Sequence, residues 1–174
     1  MGETHDPSRR TMIGMLAAVG GLALSARAFG EAGKPADTGN PADTSAAVTT
    51  LHQDVEFKAS RERLYAILLD ARTFAAFTGQ SAEIDPKVGG AFTLFGGQIV
   101  GHIVELVPGR RIVQAWRRAH WDAGVYSTVT FEFQPHGIVT TVVLDQTGFP
   151  SGDFESLNSG WEEHYWGPLH SYLA

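Results

Sequence analysis

Residues 153–173 read DFESLNSGWEEHYWGPLHSYL, and within them Leu157, Trp161, Tyr165, Leu169 and Tyr172 recur at intervals of three and four. That spacing is the signature of a helix with one apolar face, and no other helical run in the chain is longer. Pro168 removes one backbone donor inside it, so a kink is expected in the last turns. A helix with this much aromatic surface on one side must lie against an apolar partner.

The preceding residues supply that partner as a sheet. From Ser81 onward, short runs of alternating residues are separated by turn signals, the pattern of antiparallel strands. Strands are expected over residues 82–84, 91–95, 98–106, 111–116, 127–133 and 138–147. The turns between them are marked by DPKVGG at residues 85–90, Gly96-Gly97, Pro108-Gly109 and Pro135-His136-Gly137. In residues 127–133 the inward set is Val129, Phe131 and Phe133, and Ile112, Gln114 and Trp116 share one face in the same way. Residues 52–58 also alternate, with Val55 and Phe57 on one side, giving a seventh strand.

After that first strand, Ser60 is placed to cap a short helix carrying Leu64, Ile67 and Leu68. A second short helix follows over residues 70–77, with Phe74 and Phe77 turned inward and Gly79 ending it. The fold class is α+β: two short helices after the first strand, then a seven-stranded curved antiparallel sheet, closed on its concave side by the long C-terminal helix.

Composition narrows the function classes. The chain has 174 residues, 43% apolar and 18% charged, which suits one globular core. A net charge of −6 argues against a nucleic-acid footprint; the pairs Arg110-Arg111 and Arg117-Arg118 read as solvated flanks of one strand. With no cysteine, disulfides, thiolate nucleophiles and cysteine-ligated metals are all excluded.

The first fifty residues have a different character. Ser8-Arg9-Arg10-Thr11-Met12-Ile13 leads into an Ala- and Gly-rich apolar run ending at Leu24, followed by Ala26-Arg27-Ala28. This is a charged region, a short apolar region and a small-x-small cleavage site, too short for the roughly 20 apolar residues of a membrane span. The arginine pair is similar to a twin-arginine signal, although Gly14 stands where that motif often carries lysine. Residues 1–28 are therefore expected to be an export signal and the protein periplasmic or secreted, without membrane association once cleaved and tethered if uncleaved. Residues 29–49, with the near-repeat KPADT and NPADT, lack large apolar side chains and are expected to be a disordered linker. The folded domain is expected over residues 50–174.

The local wording resembles a known family. KASRERLY at 58–65, VGGAF at 88–92, GHIVELVPGRRIVQAW at 101–116, STVTF at 127–131 and GWEEHYWGPLHSYL at 160–173 match, in order, the branch of the SRPBCC (START-related) superfamily named for homologues of the activator of heat-shock-protein-90 ATPase. The resemblance implies a helix-grip fold with a cavity between sheet and long helix, used across that superfamily for apolar ligands and, in some members, for cyclase or aromatase chemistry. The resemblance is not extended to the co-chaperone role. The chain reads as lacking the additional N-terminal domain of such co-chaperones, and an exported protein would not meet a cytosolic chaperone.

A ligand site in such a fold is mostly apolar, with a few converging polar groups. The inward-facing candidates are Phe92, Leu94, Ile103, Trp116, Phe131, Val142 and Leu144 from the sheet, with Trp161 and Tyr165 from the helix; each is also an ordinary core residue. Gln114 and Gln146 fall in the inward phase of their strands and must find a hydrogen-bond partner or a ligand. His102, His120, Tyr126 and His164 complete the polar candidates, His120 in a loop expected at the cavity mouth. No nucleophile elbow, phosphate loop or metalloprotease helix occurs. His164 and His170 fall on different faces of the helix, so no metal and no cofactor are expected.

The expected function is non-catalytic binding of a small hydrophobic or aromatic ligand. That expectation would be lost if the cavity were filled by Trp116, Trp161 and their neighbours. A cyclase-like or hydrolytic enzyme acting on a cyclic substrate is the alternative, and it predicts a buried titratable group in the cavity. A co-chaperone-like interaction module is the third reading, and it predicts an exposed apolar patch of more than roughly 400 Å².

Overall fold

The computed structural model describes residues 48–174. The expected signal and all but the end of the expected linker lie outside the described residues. The elements run β1 (Thr50–Phe57), α1 (Arg61–Leu69), α2 (Ala71–Thr78), β2 (Glu83–Ile84), β3 (Ala91–Leu94), β4 (Ile99–Val107), β5 (Arg111–Arg118), β6 (Ser127–His136), β7 (Val139–Thr147), α3 (Phe154–Trp161) and α4 (Gly167–Leu173). The strands form one antiparallel sheet in the order β1-β7-β6-β5-β4-β3-β2. Each neighbour beyond the β1–β7 pair is thus a hairpin or meander step.

Local chemistry sets the element ends. The Ser60 hydroxyl accepts from the Arg63 amide at 3.2 Å and starts α1; the Asp70 carboxylate accepts from the Thr73 amide at 2.7 Å and starts α2. Gly79, at φ +68°, ends α2 by donating to the Ala75 carbonyl. The β6–β7 turn is tighter than the sequence pattern suggests. His136 pairs with Val139, so Gly137 and Ile138 form a two-residue turn and Ile138, expected in the strand, is 84% exposed. A positive φ at Gly137 suits the first central position of such a turn.

Gly101 on β4 stands opposite Trp116. A Cβ there would lie 2.1 Å from the Ala115 carbonyl oxygen and 2.4 Å from Phe92 Cζ. The Phe92 ring fills the space that any other residue at 101 would need.

The C-terminal segment departs from a regular α-helix. Between α3 and α4, residues Glu162–Trp166 make a π-helical turn, closed by the Gly167 amide donating to the Glu162 carbonyl. Pro168 follows at once and has no amide to offer. The wider turn absorbs one extra residue, so Tyr165 and Trp166 are both buried. Trp161 and Trp166, five residues apart, stack with centroids 5.8 Å apart and 20° between planes. Trp166, absent from the expected inward set, is completely buried, whereas Tyr172, placed inward by periodicity, is 43% exposed.

Two amide side chains clamp this helix to the sheet. Trp161 Nε1 donates to Gln146 Oε1 on β7 at 2.8 Å, and Gln146 Nε2 donates to the Ser127 hydroxyl on β6 at 2.8 Å. Trp166 Nε1 donates to Gln53 Oε1 on β1 at 2.7 Å, while Gln53 Nε2 donates to Asn158 Oδ1 at 2.8 Å. Burying each indole therefore strands no donor.

Candidate functional site

Side chains take up part of the space between sheet and helix. Trp161 lies 5.8 Å from Trp116, 5.7 Å from Phe131 and 4.2 Å from Tyr165, centroid to centroid, and all four rings are buried. The cavity expected between sheet and helix is narrowed by its own lining. What remains is a half-open cleft of about 650 Å³ beside the helix, within the usual range for small-molecule sites.

The cleft runs between the β5 end and its following loop on one side and the exposed flank of α3 and the π turn on the other. Its apolar wall is Trp116, Ile99, Phe95, Leu157, Trp161 and Tyr165, and its polar lining includes Arg118, His120, Gln98, Ser156, Ser159, Glu163 and His164. Gly160 faces it from the helix, where a Cβ would stand 3.5 Å from Arg118 Nη2.

Phe95 reaches the cleft through an unusual backbone. Its φ of +53° is the one positive value at a non-glycine residue among those described. That left-handed conformation is costly for an aromatic residue. It brings the ring edge-on to Tyr165 at 5.2 Å and to Phe74 at 5.4 Å. Gly96 and Gly97 continue the left-handed turn.

Arg118 continues the inward phase of Ile112, Gln114 and Trp116, so it points into the fold and is no solvated flank. Its side chain is 18% exposed. Nη1 donates to the Ser156 hydroxyl at 2.7 Å and Nη2 to the Ser156 carbonyl at 2.8 Å, and the Asp153 carboxylate stands 3.9 Å away. Desolvation lowers its pKa, with Asp153 opposing; an arginine stays charged regardless.

Three of the four tryptophans have a partner for the indole N–H: Gln146 for Trp161, Gln53 for Trp166 and Asp153, at 2.6 Å, for Trp121. Trp116 is the exception: its side chain is buried, and its Nε1 lies against the Tyr165 hydroxyl without a well-formed hydrogen bond. Desolvation holds the Tyr165 pKa well above the ordinary value, and the contact with the Trp116 N–H lowers it only slightly. Tyr165 is thus a neutral hydroxyl across the pH range of cells.

Of the residues expected at the site, Trp116, His120, His164, Trp161 and Tyr165 line the cleft. Leu94, Ile103, Phe131, Val142 and Leu144 are buried outside it, and Phe92 packs over Gly101. Gln114 is buried but does not reach the cleft, and Gln146 has its hydrogen bonds met by Trp161 and Ser127. Tyr126 lies on the opposite face of the sheet, exposed, with His102 at 5.9 Å and the Arg117 guanidinium over its ring at 5.7 Å. Neither Tyr126 nor His102 can contribute to the cleft. His170 stacks on Phe57, away from His164. Among the described residues no three His, Asp or Glu side chains cluster as metal ligands, and no helix is long and apolar enough to cross a membrane.

The relatives of the chain share its architecture. Residues 58–174 match the family model described as Activator of Hsp90 ATPase homolog 1-like protein. An activator of 90 kDa heat shock protein ATPase homologue from Dictyostelium discoideum is 37% identical over 116 residues, 66% of this chain and 30% of that protein. The chain thus spans about a third of the length of the curated relatives it matches. The crystal structure of an HSP90 activator from Plasmodium falciparum superposes with a TM-score of 0.69 at 30% identity, covering 72% of this chain and 96% of that one. CalU16 from Micromonospora echinospora, at 18% identity and a TM-score of 0.62 over 72% of this chain and 76% of its own, shares the fold. The chain belongs to the family of Activator of Hsp90 ATPase homolog 1-like proteins.

Proposed function

We propose that this protein binds a small hydrophobic or aromatic ligand in the cleft between β5 and the C-terminal helix, without catalysing a reaction. The observation that carries the reading is the cleft itself: about 650 Å³, half open, with the Trp116, Trp161, Tyr165 and Phe95 rings along one wall. Those rings offer flat apolar surfaces to an aromatic ligand. The titratable side chains lining the cleft give little support to acid–base chemistry: His120, Glu163 and His164 are exposed, and Tyr165 is held neutral by burial.

Native mass spectrometry of the full chain purified from its host tests this reading. A reproducible added mass, released on denaturation and lost in a Trp116→Phe, Trp161→Phe variant that still folds, is the expected result. A folded protein with no added mass, and no binding of small aromatic probes, would overturn it.

A second reading is an interaction with a protein partner of the Hsp90 type. It is favoured by the identity to proteins named as activators of that ATPase, although the matched segment is 30% of the Dictyostelium protein. Stimulation of an Hsp90 ATPase by the purified chain would establish it. Export directed by Arg9-Arg10 and the following apolar run is proposed alongside the ligand reading. It would place the cleft in the periplasm or outside the cell.

A further inference from the structure

We propose that the cleft selects aromatic ligands carrying an anionic group, with the Arg118 guanidinium anchoring the anion. The inference rests on the cleft being a ligand site and specifies the chemistry it takes.

Arg118 enters the cleft as a mostly buried cation. Its two close partners, the hydroxyl and carbonyl of Ser156, orient the guanidinium without neutralising it. Asp153 is 3.9 Å from Nη1 and already accepts the Trp121 indole N–H at 2.6 Å. Asp153 is thus an ion-pair partner at long range, and an anion in the cleft can approach the guanidinium more closely than Asp153 does. The other formal charge lining the cleft, Glu163, sits on the exposed flank of the π turn, where water screens it.

The rings supply the other half of the match. Trp116 precedes Arg118 by two residues on the same face of β5, about 7 Å along the strand, and its ring and the guanidinium line the same cleft. The cleft thus offers one cation against a wall of Trp116, Trp161, Tyr165 and Phe95. A planar ring bearing a carboxylate or sulfonate matches both, and charge-assisted hydrogen bonds are the stronger kind. Arginine also stacks on aromatic planes, so it can hold ring and anion together.

Two fluorescent probes that share one aromatic core separate the charge from the rings: 8-anilinonaphthalene-1-sulfonate, and N-phenyl-1-naphthylamine, which lacks the sulfonate. Titrated against the full chain, the sulfonate is expected to bind about tenfold more tightly. Arg118→Met should remove that preference and leave the neutral probe within about twofold, and Arg118→Lys should retain part of it. Equal binding of the two probes to the unaltered protein, or an equal loss of both in Arg118→Met, would overturn the assignment of Arg118 while leaving the cleft as a ligand site. Failure of both probes to bind would remove the cleft reading itself. Because the comparison within the unaltered chain is decisive, a folding defect in a variant does not blunt the test.

Discussion

The indole N–H of Trp161 donates to the side-chain carbonyl of Gln146 at 2.8 Å, in a part of the core from which water is excluded. The bond ties the C-terminal helix to β7, and Gln146 passes the connection to Ser127 on β6. One polar chain therefore fixes the register between helix and sheet and, with it, the position of the cleft wall. Gln146→Leu should destabilise the protein by about 1–3 kcal/mol, since it orphans the Trp161 donor. Trp161→Phe combined with Gln146→Leu should cost less than the two single changes added together. Chemical denaturation of the four proteins measures the coupling.

The glycine opposite Trp116 has a steric reason. Gly101→Ala would drive a methyl group into the Ala115 carbonyl and the Phe92 ring, and neither can retreat without moving the β4–β5 ladder. A loss of at least about 1–3 kcal/mol is expected, read as a lower denaturation midpoint. Gly101→Ala with Phe92→Leu should recover part of the ring clash and none of the backbone clash.

Much of this was legible from residue order, and the exceptions have physical causes. Period-two runs and turn residues located the strands because one face of the sheet is buried, so alternation survives in the sequence. The helix face was readable through Leu169, since Leu157, Trp161, Tyr165 and Leu169 are all buried. The π turn adds Trp166 to the inward set and leaves Tyr172 half exposed, an adjustment that 3.6-residue periodicity does not contain. For Arg118 charge type points to a solvated flank, but strand phase decides: it sits two residues past Trp116 and faces inward. Tyr126 lies in a loop, and loop residues have no phase to read. Nor could the extent to which Trp116, Trp161 and Tyr165 narrow the cavity be read from side-chain volumes, since the same residues could line a void or fill one.

Gly160 is the point at which the cleft can be blocked from the helix side. Gly160→Leu should abolish binding of both naphthyl probes while the protein still unfolds cooperatively. Gly160→Ala places its methyl at ordinary contact distance from Arg118 and should stabilise the helix by about 0.4–1 kcal/mol. Thermal melts and probe titrations on the two variants separate stability from access.

A small pH dependence is expected on the face away from the cleft. The His52 pKa is raised above its ordinary 6.5, chiefly by its hydrogen bond to Asp145, with Asp54 adding to the effect. A pKa raised on folding contributes stability that is complete below about pH 6.5 and is lost as the pH rises through the folded value. Because the groups are exposed, the change should be only a fraction of a kcal/mol. His52→Gln should flatten stability against pH in that window; an unchanged slope would place the dependence elsewhere.

The proposed export signal makes a prediction that does not depend on the cleft. Arg9→Lys together with Arg10→Lys should retain the full chain in the cytoplasm of its host if the twin-arginine reading is right, as fractionation and blotting would show. Export of that variant at the original level would instead assign the apolar run to a different route.

The central claim is that the cleft beside the π turn binds aromatic small molecules, and the most direct measurement is a ¹H–¹⁵N correlation spectrum of the protein titrated with 8-anilinonaphthalene-1-sulfonate. The four indole N–H groups report from known places. The expected result is a saturable shift of the Trp116 indole and of the Gly160 and Ser159 amides, with the Trp166 indole, hydrogen-bonded to Gln53, nearly still. An unmoved Trp116 indole, with shifts absent or gathered around Tyr126 and His102 on the opposite face of the sheet, would contradict the account.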